Sequence, residues 1–320
     1  MGSDDVAPAV EDVSPQPMHG ATSEDVVEPS VSRHRTPTRT IAVANQKGGV
    51  GKTTSTVNIA AALGQAGFTV LVIDLDPQGN ASTALGISHT EDTVGVYEVL
   101  IEGTSLAAVA RPAQRLEHVW CVPSTIDVAG AEIELVGIEQ REYRLKTEID
   151  RAGILRSVTG DGSSVSTGAT ALPEFDYVLI DCPPSLGLLT INALTAVREV
   201  LIPIQCEYYA LEGLTQLMRN IGLIGSHLNP TLSVSAILMT MFDGRTKLSS
   251  QVAREVRSHF GNLVLSTTIP RSVRISEAPS HGQTVLTYDP MSAGALSYRD
   301  VAVELSTQDA LPPRKGAETE

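Results

Sequence analysis

Residues 46–54 read Gln46-Lys47-Gly48-Gly49-Val50-Gly51-Lys52-Thr53-Thr54. Gly51, Lys52 and Thr53 form the core of a phosphate-binding loop: backbone N–H groups cradle phosphates, the lysine reaches the β and γ oxygens, and the threonine hydroxyl ligates Mg²⁺. The ordinary pattern has glycine where this chain has Gln46, and Lys47 adds a second lysine at the start of the loop. One lysine and one Mg²⁺ suffice for a triphosphate held by a single chain, so the extra cation suggests a charge directed across a dimer interface.

The residues on either side of this loop support the motif. Residues 40–44 are apolar and rich in β-branched side chains, which predicts a strand. Residues 53–67 contain no proline and predict a helix that ends at Gly67. A strand, a glycine loop and a helix in this order place phosphates at a helix N-terminus, where unpaired N–H groups and the helix dipole favour anions.

Three carboxylates follow predicted strands. The strand 70–73 runs into Asp74 and Asp76, and the strand 177–180 runs into Asp181. Acids at the carboxyl ends of parallel strands face the ligand crevice. We predict that Asp76 orients an attacking water, that Asp74 lies near Mg²⁺ or supports the loop, and that Asp181 is the Walker B acid that holds Mg²⁺. The alternative for Asp74 and Asp76 is a solvated acidic turn.

Three segments, 47–54, 74–80 and 181–185, resemble the ParA/Soj chromosome-partitioning ATPases, which belong to the deviant Walker A, MinD-like group of P-loop proteins. The resemblance continues through residues 205–213 and 269–280. It covers about residues 39–305, with the motifs in the expected order. The resemblance implies an α/β fold of the P-loop NTPase type, with a mostly parallel twisted sheet flanked by helices.

The resemblance also implies roles for the matching residues. Lys47 would contact the nucleotide of the opposing subunit in an ATP-sandwich homodimer, Lys52 would bind the β and γ phosphates, and Asp76 would be needed for hydrolysis. Mg²⁺ would be held by Thr53 and Asp181, so the implied cofactors are ATP and Mg²⁺. The other positions implied to contact the nucleotide are Gly48, Gly49, Val50, Gly51 and Thr54 in the loop, with Met239 and Pro270 near the adenine.

Two arginines are singled out by the same resemblance, which implies sequence-independent binding of double-stranded DNA through Arg245 and Arg274. Arg245 lies in a polar loop after the apolar run 234–241, and Arg274 lies in a second loop. Binding of this kind needs cations that reach phosphates and sums weakly over several contacts. Ordinary solvated arginines are the alternative. The implied protein partner is a ParB-like centromere-binding protein, and the implied location is cytoplasmic and nucleoid-associated.

The net charge of −14 and the pI near 4.9 oppose DNA binding if the charge is spread evenly. It is not spread evenly, because residues 1–38 hold seven Asp and Glu against two Arg. A dimer would also bring two basic loops to one face. We therefore predict weak DNA binding that falls steeply with salt.

The length and the strand pattern predict one ATPase domain at residues 39–305. A disordered acidic tail is expected at 1–38, a flexible insertion at about 158–173 and a disordered tail at 306–320. Cys121, Cys182 and Cys206 lack metal-ligand spacing and are expected to be small buried residues. Strands alternating with helices indicate a parallel sheet; the predicted strands are 40–44, 70–73, 119–122, 177–180, 200–204, 234–241 and 263–269.

The sequence argues against three other functions. A MinD-like division-site ATPase needs an amphipathic membrane helix, which residues 311–320, with two prolines and two acids, are not expected to form. No signal peptide or membrane span is expected either. A metabolic ATP-dependent ligase needs a second substrate pocket, for which the sequence has no recognisable motif. A nucleotide-switched scaffold without turnover is disfavoured by the presence of Asp76.

Overall fold

The computed structural model describes residues 1–2, 37–90, 92–158, 164–165, 172–208 and 210–308. The predicted N-terminal tail, the 158–173 insertion and the C-terminal tail therefore lie mostly outside the described residues. The strands of the described part are β1 (Arg39–Val43), β2 (Val70–Asp74), β3 (Arg111–Pro112), β4 (Val119–Val122), β5 (Ser157–Val158), β6 (Ser164–Val165), β7 (Tyr177–Asp181), β8 (Glu199–Gln205), β9 (Ser233–Phe242) and β10 (Val264–Pro270).

Eight of these described strands form one sheet in the order β10-β9-β8-β1-β7-β2-β4-β3. All pairs are parallel except β3 with β4, which is an antiparallel edge pair. β5 and β6 pair separately. The predicted, mostly parallel α/β sheet is confirmed, and each of the seven predicted strands is present. β3 and the β5–β6 pair were not predicted because strands of two residues carry no readable alternation.

The described helices alternate with the strands along the chain. Short 3₁₀ turns follow or precede some of them, among them Leu135–Gly137 directly after α5. The helices are α1 (Lys52–Gln65), α2 (Asn80–Ala84), α3 (Val96–Ile101), α4 (Leu106–Val109), α5 (Val128–Glu134), α6 (Arg144–Ala152), α7 (Leu188–Ala196), α8 (Ala210–His227), α9 (Lys247–Phe260), α10 (Val273–Glu277), α11 (Val285–Tyr288) and α12 (Ala293–Thr307).

Both faces of the sheet are covered by apolar side chains, as expected of a parallel sheet. Successive residues of β1 point to opposite faces, so Ala42 belongs to one hydrophobic cluster while Ile41 and Val43 belong to the other. Helices α3 and α5–α9 pack on the Ala42 side, and helices α1, α2, α11 and α12 pack on the other. The sheet is thereby fixed between two helical layers.

The register of the central strands aligns their carboxyl ends. Val43 of β1 pairs with Asp181 of β7, and Asp181 also pairs with Asp74 of β2. The loop 44–51, the Asp74 turn and the Asp181 turn therefore leave the sheet at one edge. This edge is where an open parallel sheet binds its ligands.

Candidate nucleotide-binding site

The loop between β1 and α1 has the backbone that phosphate binding requires. Gly49 and Gly51 have φ values of +74° and +85°, a region that residues with a Cβ rarely adopt. Gly51 is also the N-cap residue of α1 and provides no side-chain cap. The first N–H groups of α1 are therefore left without a capping side chain, and they can hydrogen-bond to an anion.

Lys52 is buried at the centre of this loop, where its Nζ donates a hydrogen bond to the carbonyl oxygen of Lys47 at 3.3 Å. Burial lowers the pKa of Lys52, and the nearby Asp181 and Asp76 oppose that shift. The ammonium thus lies within the loop and close to two carboxylates. A phosphate bound in the loop would exchange the carbonyl contact for charged oxygens.

Asp181 is fully buried at the end of β7, and its Oδ1 accepts a hydrogen bond from the Thr56 hydroxyl at 2.9 Å. Its Oδ2 is buried and has no hydrogen-bond partner among the described residues. Burial and the neighbouring Asp74 raise the pKa of Asp181 to about 8, while the nearby hydroxyls of Thr53 and Thr56 oppose the rise. A buried carboxylate oxygen without a partner, next to the Thr53 hydroxyl, fits a hard cation such as Mg²⁺.

Asp74 is buried and supports the turn that follows β2. Its Oδ2 accepts from the backbone N–H and the hydroxyl of Ser82, at 2.9 and 2.7 Å, and its Oδ1 accepts from the backbone N–H of Asp76 at 3.2 Å. The Ser82 hydroxyl in turn accepts from the N–H of Ser124. Of the two roles predicted for Asp74, these contacts match support of the loop.

Asp76 is also buried, and its Oδ1 accepts from the backbone N–H of Gln78 at 3.0 Å. Its carboxylate is close enough to Lys52 to affect the pKa of that lysine. The alternative of a solvated acidic turn is therefore wrong for both Asp74 and Asp76. The structure brings Lys52, Asp76 and Asp181 together at one site.

The side chain of Lys47 points in a different direction from that of Lys52. Its side chain is 56% exposed and forms an ion pair with Glu207, in the segment that follows β8. Its backbone N–H is fixed by the Asn45 side chain at 3.0 Å. The second lysine of the loop therefore points outward, away from the buried position of Lys52.

Two threonines that sequence reasoning missed hold the site together. The Thr240 hydroxyl lies 2.8 Å from the carbonyl oxygen of Val50 and 3.0 Å from that of Ile204, so it joins β9 and β8 to the phosphate loop. The Thr56 hydroxyl contacts Asp181 and the carbonyl oxygen of Lys52. Thr240 could have been noticed as the one hydroxyl residue within the apolar run 236–241.

Comparison with known proteins identifies the family. The chain matches the family described as "AAA domain" over residues 38–153 and 169–234. It is 47% identical over 266 residues to the sporulation initiation inhibitor protein Soj of Bacillus subtilis, covering 83% of this chain and 97% of that protein. It is 45% identical over 273 residues to the chromosome partitioning protein ParA of Caulobacter vibrioides, covering 85% and 96%. The chain belongs to the ParA/Soj family of chromosome-partitioning ATPases.

Solved structures agree with this assignment. One is cobyrinic acid a,c-diamide synthase from Mycobacterium smegmatis with a bound ATP analogue and magnesium, which is 38% identical in sequence. The match covers 84% of this chain and 94% of the synthase chain, with a TM-score of 0.67. The cell division ATPase MinD of Pyrococcus furiosus, at 24% identity and a TM-score of 0.65, shares the fold. The predicted ParA/Soj membership, P-loop fold and ATPase class are confirmed. The nucleotide and magnesium named for the first neighbour agree with the predicted cofactors, ATP and Mg²⁺.

The residues expected near the adenine of a ParA/Soj protein are not all brought together. Pro270 ends β10 beside Phe242 of β9, and the N–H of Arg271 donates to the Phe242 carbonyl at 3.1 Å. These two strand ends therefore form one rim. Met239 is not part of it, because its side chain is fully buried in the hydrophobic core on the Ala42 side of the sheet.

The two arginines expected to bind DNA in this ParA/Soj protein are exposed, but each is paired with acids. Arg245 is 89% exposed and binds both carboxylate oxygens of Asp243 at 2.9 Å, which lowers the pKa of Asp243 to about 2. Arg274 lies in the short helix α10 and not in the loop expected from the sequence, and it contacts Glu277 at 3.3 Å and Asp289 at 3.4 Å. DNA phosphates would have to compete with these carboxylates.

All three cysteines are buried, as predicted. Within the described ranges, no cluster of three or more His, Cys, Asp or Glu side chains could hold a metal by itself. Mg²⁺ with nucleotide phosphates does not need such a cluster, because it commonly keeps waters and few protein ligands. None of the described helices is long and apolar enough to cross a membrane.

Proposed function

We propose that this protein partitions chromosomes as an ATP-controlled DNA carrier. ATP bridges two subunits into a sandwich dimer, the dimer binds double-stranded DNA without sequence preference, and hydrolysis stimulated by a ParB-like protein separates the subunits. The observation that carries the proposal is the division between the two loop lysines: Lys52 is buried in the loop, while Lys47 is directed outward at the same sheet edge. An outward cation at this position can serve the nucleotide of a facing subunit.

The residues of the site have separate tasks in this proposal. Backbone N–H groups of residues 48–54 and the Lys52 ammonium bind the phosphates, with Thr54 nearest the α-phosphate. Thr53 and Asp181 would hold Mg²⁺, which neutralises phosphate charge when it is bound. Asp76, fixed by the Asp74 network, orients the attacking water. Catalysis of this kind rests on positioning and electrostatic stabilisation.

DNA binding is assigned to the rim formed by the loop after β9, which carries Arg245, and by the segment after β10, in which Arg274 lies in α10. The side chains of Arg245 and Arg274 are exposed there, and the neighbouring cations are Lys247 and Arg271. Because both arginines already have carboxylate partners and the whole chain carries −14, binding is weak in each subunit. In a dimer, the DNA contacts of two subunits add, so DNA binding depends on dimerisation. The ATP-bound dimer would then be found on the nucleoid, in the cytoplasm.

Binding to a random-sequence DNA duplex tests this function. The full chain is titrated into labelled duplex without nucleotide, with ADP, with ATP, and with a slowly hydrolysed ATP analogue, each at two salt concentrations. Salt-sensitive binding with ATP or the analogue only is the expected result. An intact ATPase that binds no duplex in any nucleotide state would overturn the partition function.

A metabolic ligase is the second candidate, and two observations favour keeping it. The Mycobacterium smegmatis neighbour is named as a diamide synthase. A cavity of about 810 Å³ also opens beside the phosphate loop, with Gln46, Leu211 and His259 in its lining. The partitioning relatives are more similar in sequence, which favours the first function. ATP turnover that depends on a small carboxylic acid and an ammonia donor, and not on DNA, would support the ligase.

A further inference from the structure

Residues 126–136, which comprise helix α5, the turn before it and the 3₁₀ turn after it, have two apolar sides, one of which is exposed. The inner side, with Val128, Ala131 and Leu135, is fully buried in the core. The outer side carries large side chains that remain in solvent: Ile126 is 60% exposed, Ile133 77% and Val136 60%. Together with the exposed Ala129 these residues are spaced by three, four and three positions, which places them along one side of a helix. We call Ile126, Ala129, Ile133 and Val136 the α5 stripe.

The α5 stripe lies at the same edge of the sheet as the nucleotide site. α5 follows the carboxyl end of β4, which is parallel to β2, as β2 is to β7. Its Glu132 side chain lies against Gly187, so that a Cβ at residue 187 would collide with the carboxylate. Gly187 is six residues after Asp181 and precedes α7, against which α5 packs. The helix therefore covers the loop that leaves the Asp181 strand.

The surroundings of the α5 stripe disfavour a nucleic acid as its occupant. The charged residues that border it are mostly acids: Asp127, Glu134 and Glu139 are exposed, and the Tyr97 hydroxyl donates to Glu134. The cation beside it, Arg141, donates to the Val136 carbonyl at 2.9 Å and is already paired with Glu142. DNA phosphates would be repelled by these acids. A row of exposed branched side chains bordered by polar residues is typical of a protein interface.

We propose that the α5 stripe packs against a second copy of this chain in the ATP-bound dimer. The inference rests on the proposed function: Lys47 can reach the phosphates of a partner only if the two sheet edges face each other. Any apolar surface on that edge beside the loop is then closed off by the facing subunit. The nucleotide makes association depend on ATP, and the α5 stripe supplies apolar contact area that the phosphates cannot supply.

The test compares substitutions of two exposed apolar residues in the full chain, Ile133 at 77% and Val303 at 60% exposure. Ile133→Asp places a charge in the α5 stripe, and Val303→Asp places one on α12, which packs on the other face of the sheet. Molar mass is measured by light scattering with the slowly hydrolysed ATP analogue, and monomer binding of a fluorescent ADP is measured in parallel. We expect I133D to dimerise at least about tenfold more weakly than wild type, with unchanged ADP affinity, and V303D to dimerise normally.

The outcomes separate this inference from the function on which it rests. Wild-type-like dimerisation of I133D would overturn the inference and leave the ATP-sandwich mechanism intact. A wild-type chain that stays monomeric with the analogue would overturn the sandwich mechanism itself. If I133D does not fold, as judged by its thermal melt, Ile126→Asp replaces it under the same criteria, because residue 126 precedes the helix.

Discussion

Lys47 and Glu207 form an ion pair that joins the phosphate loop to the segment after β8. Both side chains are about half exposed, and such pairs contribute at most about 1 kcal/mol. The lysine that we assign to the partner's nucleotide is therefore held within its own subunit by a weak contact. It must leave Glu207 before it can bridge two subunits.

Removing that contact should favour the dimer. We expect Glu207→Gln to lower the concentration of ATP analogue needed for half-maximal dimerisation by up to about fivefold, because Lys47 no longer has a competing carboxylate. Light scattering at a fixed protein concentration measures this. Glu212→Gln, which changes an exposed acid in the first turn of α8, is the matched control. A higher requirement in E207Q would mean that the dimer itself uses the Glu207 carboxylate.

Thr240 is predicted to stabilise the bound form of the phosphate loop. Thr240→Val keeps the shape but leaves the carbonyl oxygens of Val50 and Ile204 without this donor, at a cost of about 1–3 kcal/mol. We expect nucleotide affinity, measured with fluorescent ADP, to fall by about tenfold. Thr195→Val is the control: it removes a buried hydroxyl of α7 that also contacts two carbonyl oxygens. It should lower the melting temperature and leave ADP affinity unchanged. Equal ADP affinity in T240V and wild type would contradict this role.

The buried acids predict how stability depends on pH. Burial raises the pKa of Asp74 to about 6 and that of Asp181 to about 8, from 3.8. Between the unfolded pKa of 3.8 and these raised values, the folded chain binds more protons than the unfolded chain. The contribution of the two acids to the free energy of unfolding therefore falls as pH rises from about 4 to about 8. Denaturant unfolding without nucleotide measures it.

Mg²⁺ with ADP should reverse this trend, because the metal replaces the proton at Asp181. We expect stabilisation by Mg²⁺ and ADP to increase between about pH 6 and pH 8, and Asp181→Asn to remove most of that increase. ADP without Mg²⁺ is the control. A stabilisation that is independent of pH in the wild type would contradict the assignment of Asp181 as the metal ligand.

Because Arg245 and Arg274 are paired with acids, removing an arginine and removing its carboxylate partner should have opposite effects on DNA binding. Arg245→Ala and Arg274→Ala should each weaken binding to random duplex and reduce the slope of log affinity against log salt by about 1. Asp243→Asn should strengthen binding, because Arg245 no longer has its carboxylate partner. Lys146→Ala, which removes an exposed and ion-paired cation on α6, serves as the control. No change in R245A and R274A would show that DNA uses another surface.

The strands and the three acids could be predicted because each depends on residues that are adjacent in sequence. The Lys47–Glu207 pair and the Thr240 bridge join residues 160 and 190 positions apart, and no local pattern indicates them. The position of the Met239 side chain also could not be read from the resemblance. Alternation along β9 buries Met239 on one face of the sheet and directs Thr240 to the phosphate loop on the other.

The measurement that tests the central claim most directly is ATP-dependent dimerisation and DNA binding of Lys47→Ala. Fluorescent ADP binding is measured alongside, because Lys52 remains in the loop and should keep the monomer site intact. The ATP-sandwich account predicts a variant that binds ADP like wild type but stays monomeric with the ATP analogue and does not bind random duplex. Full dimerisation and full DNA binding by K47A would contradict it.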